Sequence, residues 1–332
     1  MSESTDSLVR ISPEQCQTMA NLINRIRPPS ASEEEMRCDI PDRIMSNTLF
    51  TVVAICHQTT SPHDLPLIGT VNGKLRRGWD YLLQKWIKAT HENHTLVHPS
   101  SLALLRSEDV EEILYDDEYG SRITDPQGRA ALLNDIGRQL QTMEVDDVHS
   151  IYEVTGGTLV GESGLMKQLI RFKAYGADPV RKKLLFFLAL MFNQGYWKYN
   201  DPENLGTPVD YHEVRGHLRY GTVEVVCDEL QRKIINGLEV TSEEDIAIRK
   251  ATYEAIMQVS HTSERTPNDL HYFFWNLFRN CCTRDRMHCE DSDGHTNLPE
   301  RYRLLSPKRC AFSDTCAKRK ELKDHVVDTD LY

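Results

Sequence analysis

Five of the nine cysteines fall between residues 281 and 316. Two pairs stand out, Cys282-x6-Cys289 and Cys310-x5-Cys316, separated by twenty residues. If the four thiolates share one inorganic centre, two short loops far apart in the chain must converge, whatever the rest of the fold does. Thiolates hold either Zn²⁺ in a tetrahedral site or an iron–sulfur cluster. Paired zinc ligands usually enclose about two to four residues. The wider loops here suit a [4Fe-4S] cluster better, with structural Zn²⁺ as the alternative. Free thiols buried in a helical core are the plain third reading. Cys281 is the spare, competing with Cys282 for the first ligand position.

The odd cysteine count and the polar start "MSESTDSLVR" argue against an exported disulfide scaffold. Cytoplasm is the expected compartment. The longest apolar run, "LLFFLALMF" (184–192), is about half of what a bilayer span needs, so no membrane is expected. A net charge of -11 argues against gripping long nucleic acid by bulk electrostatics. Basic clusters at 76–78, 181–183 and 318–323 leave room for a local basic groove.

Helical periodicity recurs along the chain, and strand-like alternation is hard to find. Segments 41–58, 77–93, 163–175, 178–195, 241–258 and 266–280 read as helices. Asp178 is the expected N-cap of the fourth, with Pro179 at its first position and Gly195 as its stop. Thr241 and Glu244 read as a capping box. The first forty residues and the last ten read as loosely held. The expected class is all-α.

Three stretches carry the chemistry. "VDYHEVRGHLRYG" (209–221) precedes the helix "LHYFFWNLFRN" and then the cysteines. That order resembles the endonuclease III and adenine glycosylase class of the helix-hairpin-helix DNA glycosylase superfamily. There a VD-x-H segment carries the catalytic aspartate, and a C-x6-C-x2-C-x5-C run holds a [4Fe-4S] cluster. This chain keeps the outer spacings but has twenty residues where that family has two. "ADPVRKKLLFFLALM" stands where the family has its Gly-rich hairpin and lysine. Lys182 is the implied equivalent, and the hairpin glycines are missing.

"RGWDYLLQKWIKATHENHTLVHPSSLALLRSEDVEEIL" (77–114), with "LLNDIGRQL", "KAYGADPVRKKLLFFLALMF" and "DYHEVRGHLRYGTV", resembles the queuosine salvage family. Its members hydrolyse queuosine 5′-phosphate to free queuine. An Asp-Tyr pair before a basic helix lies at that family's site, and Asp210 and Tyr211 match it. The resemblance covers residues ~70–280 and again implies a glycosylase-like fold.

Both resemblances meet at Asp210. Breaking an N-glycosidic bond builds positive charge on the anomeric carbon. A fixed carboxylate stabilises that charge and positions water. Lys182, His212 and Arg215 are the cations expected to keep it ionised. Asp210 also reads as a helix N-cap. Trp79 and Tyr81 are candidates to stack a base, against helix-face packing in the core. His57 and Gln58, after a buried helix, are a weaker match to a base-reaching position.

The expectation is therefore a two-lobed helix-hairpin-helix glycosylase-like fold. One lobe spans 41–208. The other combines 1–40 with 209–332 and carries Cys282, Cys289, Cys310 and Cys316. The pocket is expected between them, with catalytic Asp210 and Lys182 and substrate-binding Trp79, Tyr81, Tyr211, His212 and Arg215. The expected activity is N-glycosidic hydrolysis on a 7-deazaguanine or queuosine-type purine, as a nucleotide or in DNA. Three alternatives stand: an enzyme altering such a base in DNA without cleaving it out, a DNA repair glycosylase, and a non-catalytic binding module.

Overall fold

The computed structural model describes residues 8–30, 39–59, 66–290, 298, 300–303 and 310–332. It is mostly helical, with two small antiparallel sheets. The principal elements, in chain order, are β1 (Val9–Ile11), α1 (Pro13–Ile26), α2 (Asp42–Ala54), β2 (Ile68–Val71), β3 (Lys74–Arg77), α3 (Trp79–Glu92), α4 (Pro126–Thr142), α5 (Lys182–Asn193), α6 (Tyr211–Tyr220), β4 (Val223–Val225), α7 (Ser242–Ser263) and α8 (Pro267–Asn280). Among the described residues no helix is long and apolar enough to cross a membrane.

The chain divides into two compact units, Met1–Ser32 with Gly206–Asp328, and Glu33–Leu205 with Thr329–Tyr332. In the first unit α1 packs along α7, and β1 pairs with β4. Cys16, Met19, Ala20 and Ile23 of α1 are fully buried. The N-terminal segment is thus core over residues 9–26, not loosely held, because one face of the helix is apolar. The same holds near the other end, where Leu322, Asp324, His325 and Val326 are buried.

The second unit is built on α2, which is buried from Met45 to Ala54, its polar Ser46, Asn47, Thr48 and Thr51 each hydrogen-bonded to a backbone carbonyl. Phe50 packs against Phe172, Tyr175 and Phe187. Trp86 of α3 donates to Thr51 Oγ1 at 2.9 Å, so the indole reaches the core without stranding its N–H.

Two helix readings are corrected, and one element is new. The helix read over 163–175 is two short ones, Leu165–Leu169 and Lys173–Gly176. The helix read from Asp178 begins at Lys182, after Arg181 at φ 60°. Asp178 instead accepts from the N–H groups of Val180 and Lys182 at 3.0 and 2.8 Å, closing a turn ahead of the helix. Last, β2 and β3 form a hairpin whose turn residues Asn72 and Gly73 both have positive φ. Such a turn needs residues that tolerate that conformation, and Asn-Gly is its sequence signature.

Candidate functional site

Asp210 is the N-cap of α6. Its Oδ1 accepts from the N–H groups of His212 and Glu213 at 2.8 and 3.1 Å. Its own N–H donates to Glu213 Oε2 at 3.3 Å, completing a capping box. Glu213 Oε1 in turn meets the Nδ1 of His271 at 3.0 Å. Burial pushes the Glu213 carboxyl up, and the His271 contact pulls against it. Among the described residues only Oδ1 of Asp210 is engaged. The carboxylate is therefore held by one oxygen and half-exposed, an arrangement that leaves the other oxygen available for chemistry.

Tyr211 and His212 follow, their rings 4.1 Å apart. Burial lowers His212 to about 4, so the ring is neutral at pH 7. A guanidinium only donates. His212 Nδ1 therefore accepts from Arg215 Nη2 at 2.8 Å, and the ring proton sits on Nε2. Burial, with Asp210 beside it, raises the Tyr211 hydroxyl far above its ordinary value and keeps it protonated.

Arg215 is 2% exposed, and its guanidinium is fully engaged. Nη1 donates to Asp324 Oδ1 at 2.7 Å, Nε to the Cys282 carbonyl at 2.7 Å, and Nη2 to the Phe278 carbonyl at 3.3 Å. Its role here is to fasten α6 to the chain beyond α8. One turn on, Arg219 does the same. It donates to the carbonyls of Thr283, Arg284 and Leu322 at 2.6, 2.9 and 2.7 Å, and to Cys282 Sγ at 3.4 Å. The spacing of four puts both guanidiniums on one face. Between them lies Gly216, where a Cβ would sit 2.2 Å from the Phe278 ring. A glycine in mid-helix costs up to about 1 kcal/mol against alanine, and close approach to α8 is its physical reason.

The cysteines converge on the same face. Cys281, Cys282, Cys289, Cys310 and Cys316 line one cavity, with Gly216, Arg219, Phe278 and Phe312. Each is positioned by backbone bonding. Cys281 ends α8, its N–H donating to the Leu277 carbonyl at 2.8 Å. Cys282 pairs with Met287 in a bridge, and Cys289 lies in the helical turn His288–Glu290. Cys310 and Cys316 bracket a turn in which the Ser313 N–H bonds the Cys310 carbonyl at 3.0 Å. The Lys318 N–H donates to Cys316 Sγ at 3.3 Å. Burial drives the thiols upward, Cys281 to about 12 and Cys316 to about 11, and Cys310 well above its ordinary value. Among the described residues no three Cys, His, Asp or Glu side chains are grouped closely enough to hold one ion. The thiols surround a space rather than close on a point. A soft donor set with backbone N–H and arginine contacts to sulfur fits a thiolate-bound centre.

The remaining candidates lie in the second unit. Tyr81 is 0% exposed, and its hydroxyl donates to the Leu114 carbonyl at 3.1 Å. Its ring is core and has no face to offer a base, which corrects the stacking expectation. Trp79 is half-buried, edge-on to Phe186 with ring centres 5.0 Å apart. Lys182 Nζ stands 3.4 Å from Cys56 Sγ and 5.0 Å from the centre of the Phe186 ring. Of the basic residues near the cysteines, Lys308, Arg309 and the Arg301 side chain lie outside the described residues. Arg303 donates to the Leu298 carbonyl at 2.7 Å. The sequence reading missed Arg219, Asp324 and Gly216. Arg219 carried a signal, its place four residues after Arg215, whereas Asp324 carried none.

Comparison with models of known protein families and with curated proteins gave no match.

Proposed function

We propose that this chain is an N-glycosidic hydrolase acting on a modified purine of the 7-deazaguanine type, with Asp210 as the catalytic carboxylate. One observation carries the reading. Asp210 caps the helix whose two arginines are bonded to the cysteine segment, so the carboxylate and the cysteine cavity are carried by the same helix.

A carboxylate fixed through Oδ1 and free at Oδ2 suits a developing sugar cation, because no reorganisation is needed as charge appears. A 7-deazaguanine has carbon in place of N7, so the leaving base cannot be protonated there. Stabilising the sugar then weighs more, and Asp210 is the group that would do it. Neutral His212 offers an Nε2–H donor next to the carboxylate, and Tyr211 a hydroxyl. Arg215 holds His212 and α6 in place and does not meet substrate.

Cys282, Cys289, Cys310 and Cys316 would hold the centre, for which a [4Fe-4S] cluster is the reading and structural zinc the alternative. It would tie the 310–316 turn to the end of α8, and no step of the reaction passes through it.

The test is release of free base. The protein is incubated with queuosine 5′-phosphate, with queuosine, and with duplex DNA containing a 7-deazaguanine, and the products are separated by chromatography. Free base from either small substrate supports the reading. Release from DNA alone would make the enzyme a DNA glycosylase. An altered base still attached to DNA would replace hydrolysis by base modification. Binding without product would leave only a recognition module.

A further inference from the structure

In the second unit, α2 ends in a turn holding Cys56 and His57, and around it stand three cations. Arg129 of α4 is 0% exposed. It donates to the Ile55 carbonyl, to the carbonyls of His57 and Thr124 at 2.7 Å, and to Thr124 Oγ1. Lys183 of α5 is also 0% exposed. Its Nζ donates to the carbonyls of Ala54 and Asp330 at 2.7 and 2.6 Å and to His57 Nδ1 at 3.3 Å. Half-buried Lys182 reaches Cys56 Sγ. Every one of these acceptors is a carbonyl, a hydroxyl, an imidazole or a thiol. None of the three side chains is hydrogen-bonded to a carboxylate among the described residues. Their favourable charge contacts are Cys56, and after it the carboxylates of Asp125 for Arg129 and Asp330 for Lys183, which act without a hydrogen bond.

Buried charge without a counter-charge is costly and persists where something supplies the anion. Burial, with Lys182 and Arg129 beside it, draws the Lys183 amine down to about 8. Burial and the same cations hold His57 neutral.

His57 supplies the second, independent observation. It is 2% exposed, and its Nε2 has no hydrogen-bond partner among the described residues. Nδ1 accepts from Lys183, so the ring proton lies on Nε2, which is a buried donor with nothing to donate to. A stranded buried donor is costly, and an acceptor that comes and goes removes that cost.

We propose that His57 and Lys182, backed by the charges of Lys183 and Arg129, form a binding site for a phosphate group. His57 Nε2–H and the Lys182 ammonium are the groups that touch the anion. Lys183 has all three donors engaged and contributes its field. A phosphate monoester carries nearly two negative charges at pH 7, which matches an excess of cations better than a single carboxylate does. The site does not depend on Asp210 or on the cysteine centre.

The experiment is titration calorimetry and thermal melting of the full-length protein with inorganic phosphate, against sodium acetate and sodium chloride at equal ionic strength. Phosphate should bind at one site and raise the melting temperature, and neither acetate nor chloride should do so. Lys182 is half-buried, so its replacement leaves the core intact. Lys182→Gln should weaken phosphate binding about tenfold or more, the worth of one charge-assisted bond. Lys182→Arg should retain binding within about threefold, since the charge and a donor remain. Lys167→Gln, an exposed control in the same unit, should change nothing. Equal stabilisation by acetate, unchanged affinity in Lys182→Gln, or an equal loss in Lys167→Gln would each overturn the proposal.

Discussion

Asp210 has two roles, a helix cap and a proposed catalytic carboxylate, and two substitutions separate them. The cap rests on one oxygen, which receives two backbone N–H bonds at 2.8 and 3.1 Å. Asparagine keeps that oxygen and loses the charge. The structural loss is then limited to the charge–dipole part, about 0.3–1 kcal/mol at a helix N-terminus. Alanine loses both bonds, worth about 0.5–2 kcal/mol. For a unit of this size about 1 kcal/mol corresponds to about 2–4 °C. Asp210→Asn should therefore melt within about 4 °C of the native protein, and Asp210→Ala up to about 8 °C lower.

The rate behaves differently. Removing a fixed charge aimed at the transition state costs about a hundredfold or more, so both variants should fall at least that far while substrate still binds. The assay is base release under single-turnover conditions, with melting followed in parallel. Asp210→Asn with more than about a tenth of native activity would refute the chemical role, because positioned charge is worth far more than that. Equal melting losses in the two variants would refute the single-oxygen cap.

Cys289→Ser and Cys310→Ser should each abolish the broad absorbance near about 400 nm that iron–sulfur centres show, and Cys281→Ser should keep it. A colourless protein with one zinc per chain would put zinc there instead. Gly216→Ala should destabilise the first unit by about 1–3 kcal/mol in a denaturant titration, since overpacking outweighs the gain in helix propensity; a more stable variant would show that Phe278 moves aside. Tyr81→Phe should cost about 1 kcal/mol for the lost bond to Leu114 and leave ligand affinity unchanged. Asp245 is buried, yet its bonds to His325 and Arg249 hold its carboxyl at about 2, below the ordinary 3.8. A carboxyl depressed on folding adds stability above its unfolded pKa, about 4, and that stability is lost as pH falls toward 2. The first unit should weaken over that window, and Asp245→Asn should flatten the slope.

Helices were legible where the chain carries its own stop and start signals. Thr241 and Glu244 form the capping box their spacing implies, and Thr266 caps α8 through the Asp269 N–H. Asp178 and Pro179 carry the same kind of signal, but Asp178 spends both oxygens on a turn, and α5 starts later. Local sequence names a capping residue without saying which turn it closes. Asn72-Gly73 was a readable hairpin signal, hidden by the shortness of its strands. What no local pattern could give is the pairing of Arg215 with Asp324, 109 residues apart, or the engagement of Tyr81 with the Leu114 carbonyl. Periodicity gathers Trp79, Leu82, Leu83 and Trp86 on one inward face of α3 and places Tyr81 away from it. Whether inward means core or cleft depends on neighbours far off in the chain.

The cysteine spacing pointed to four residues, and the structure lines one cavity with those four and Cys281. The face of α6 toward the thiols carries Arg215, Gly216 and Arg219, and each does a different job there. Gly216 lets the helix approach Phe278, and the arginines neutralise carbonyls left open at the end of α8 and just beyond it. Cations suit that end of a helix, where the peptide dipoles leave partial negative charge. Arg219 also reaches Cys282 Sγ, so a thiolate there would be compensated before any metal arrives. Four thiolates around one centre carry more negative charge than one arginine can offset, which is the deficit a cationic cluster or zinc ion fills. Filling it would stiffen the 310–316 turn, whose neighbours at 317 and 319 bond the carbonyls of Tyr220 and Arg219 at the end of α6. The opposite end of that helix is Asp210. Loss of the centre should therefore reach the carboxylate through ten residues of helix, lowering activity through misplacement and not through chemistry.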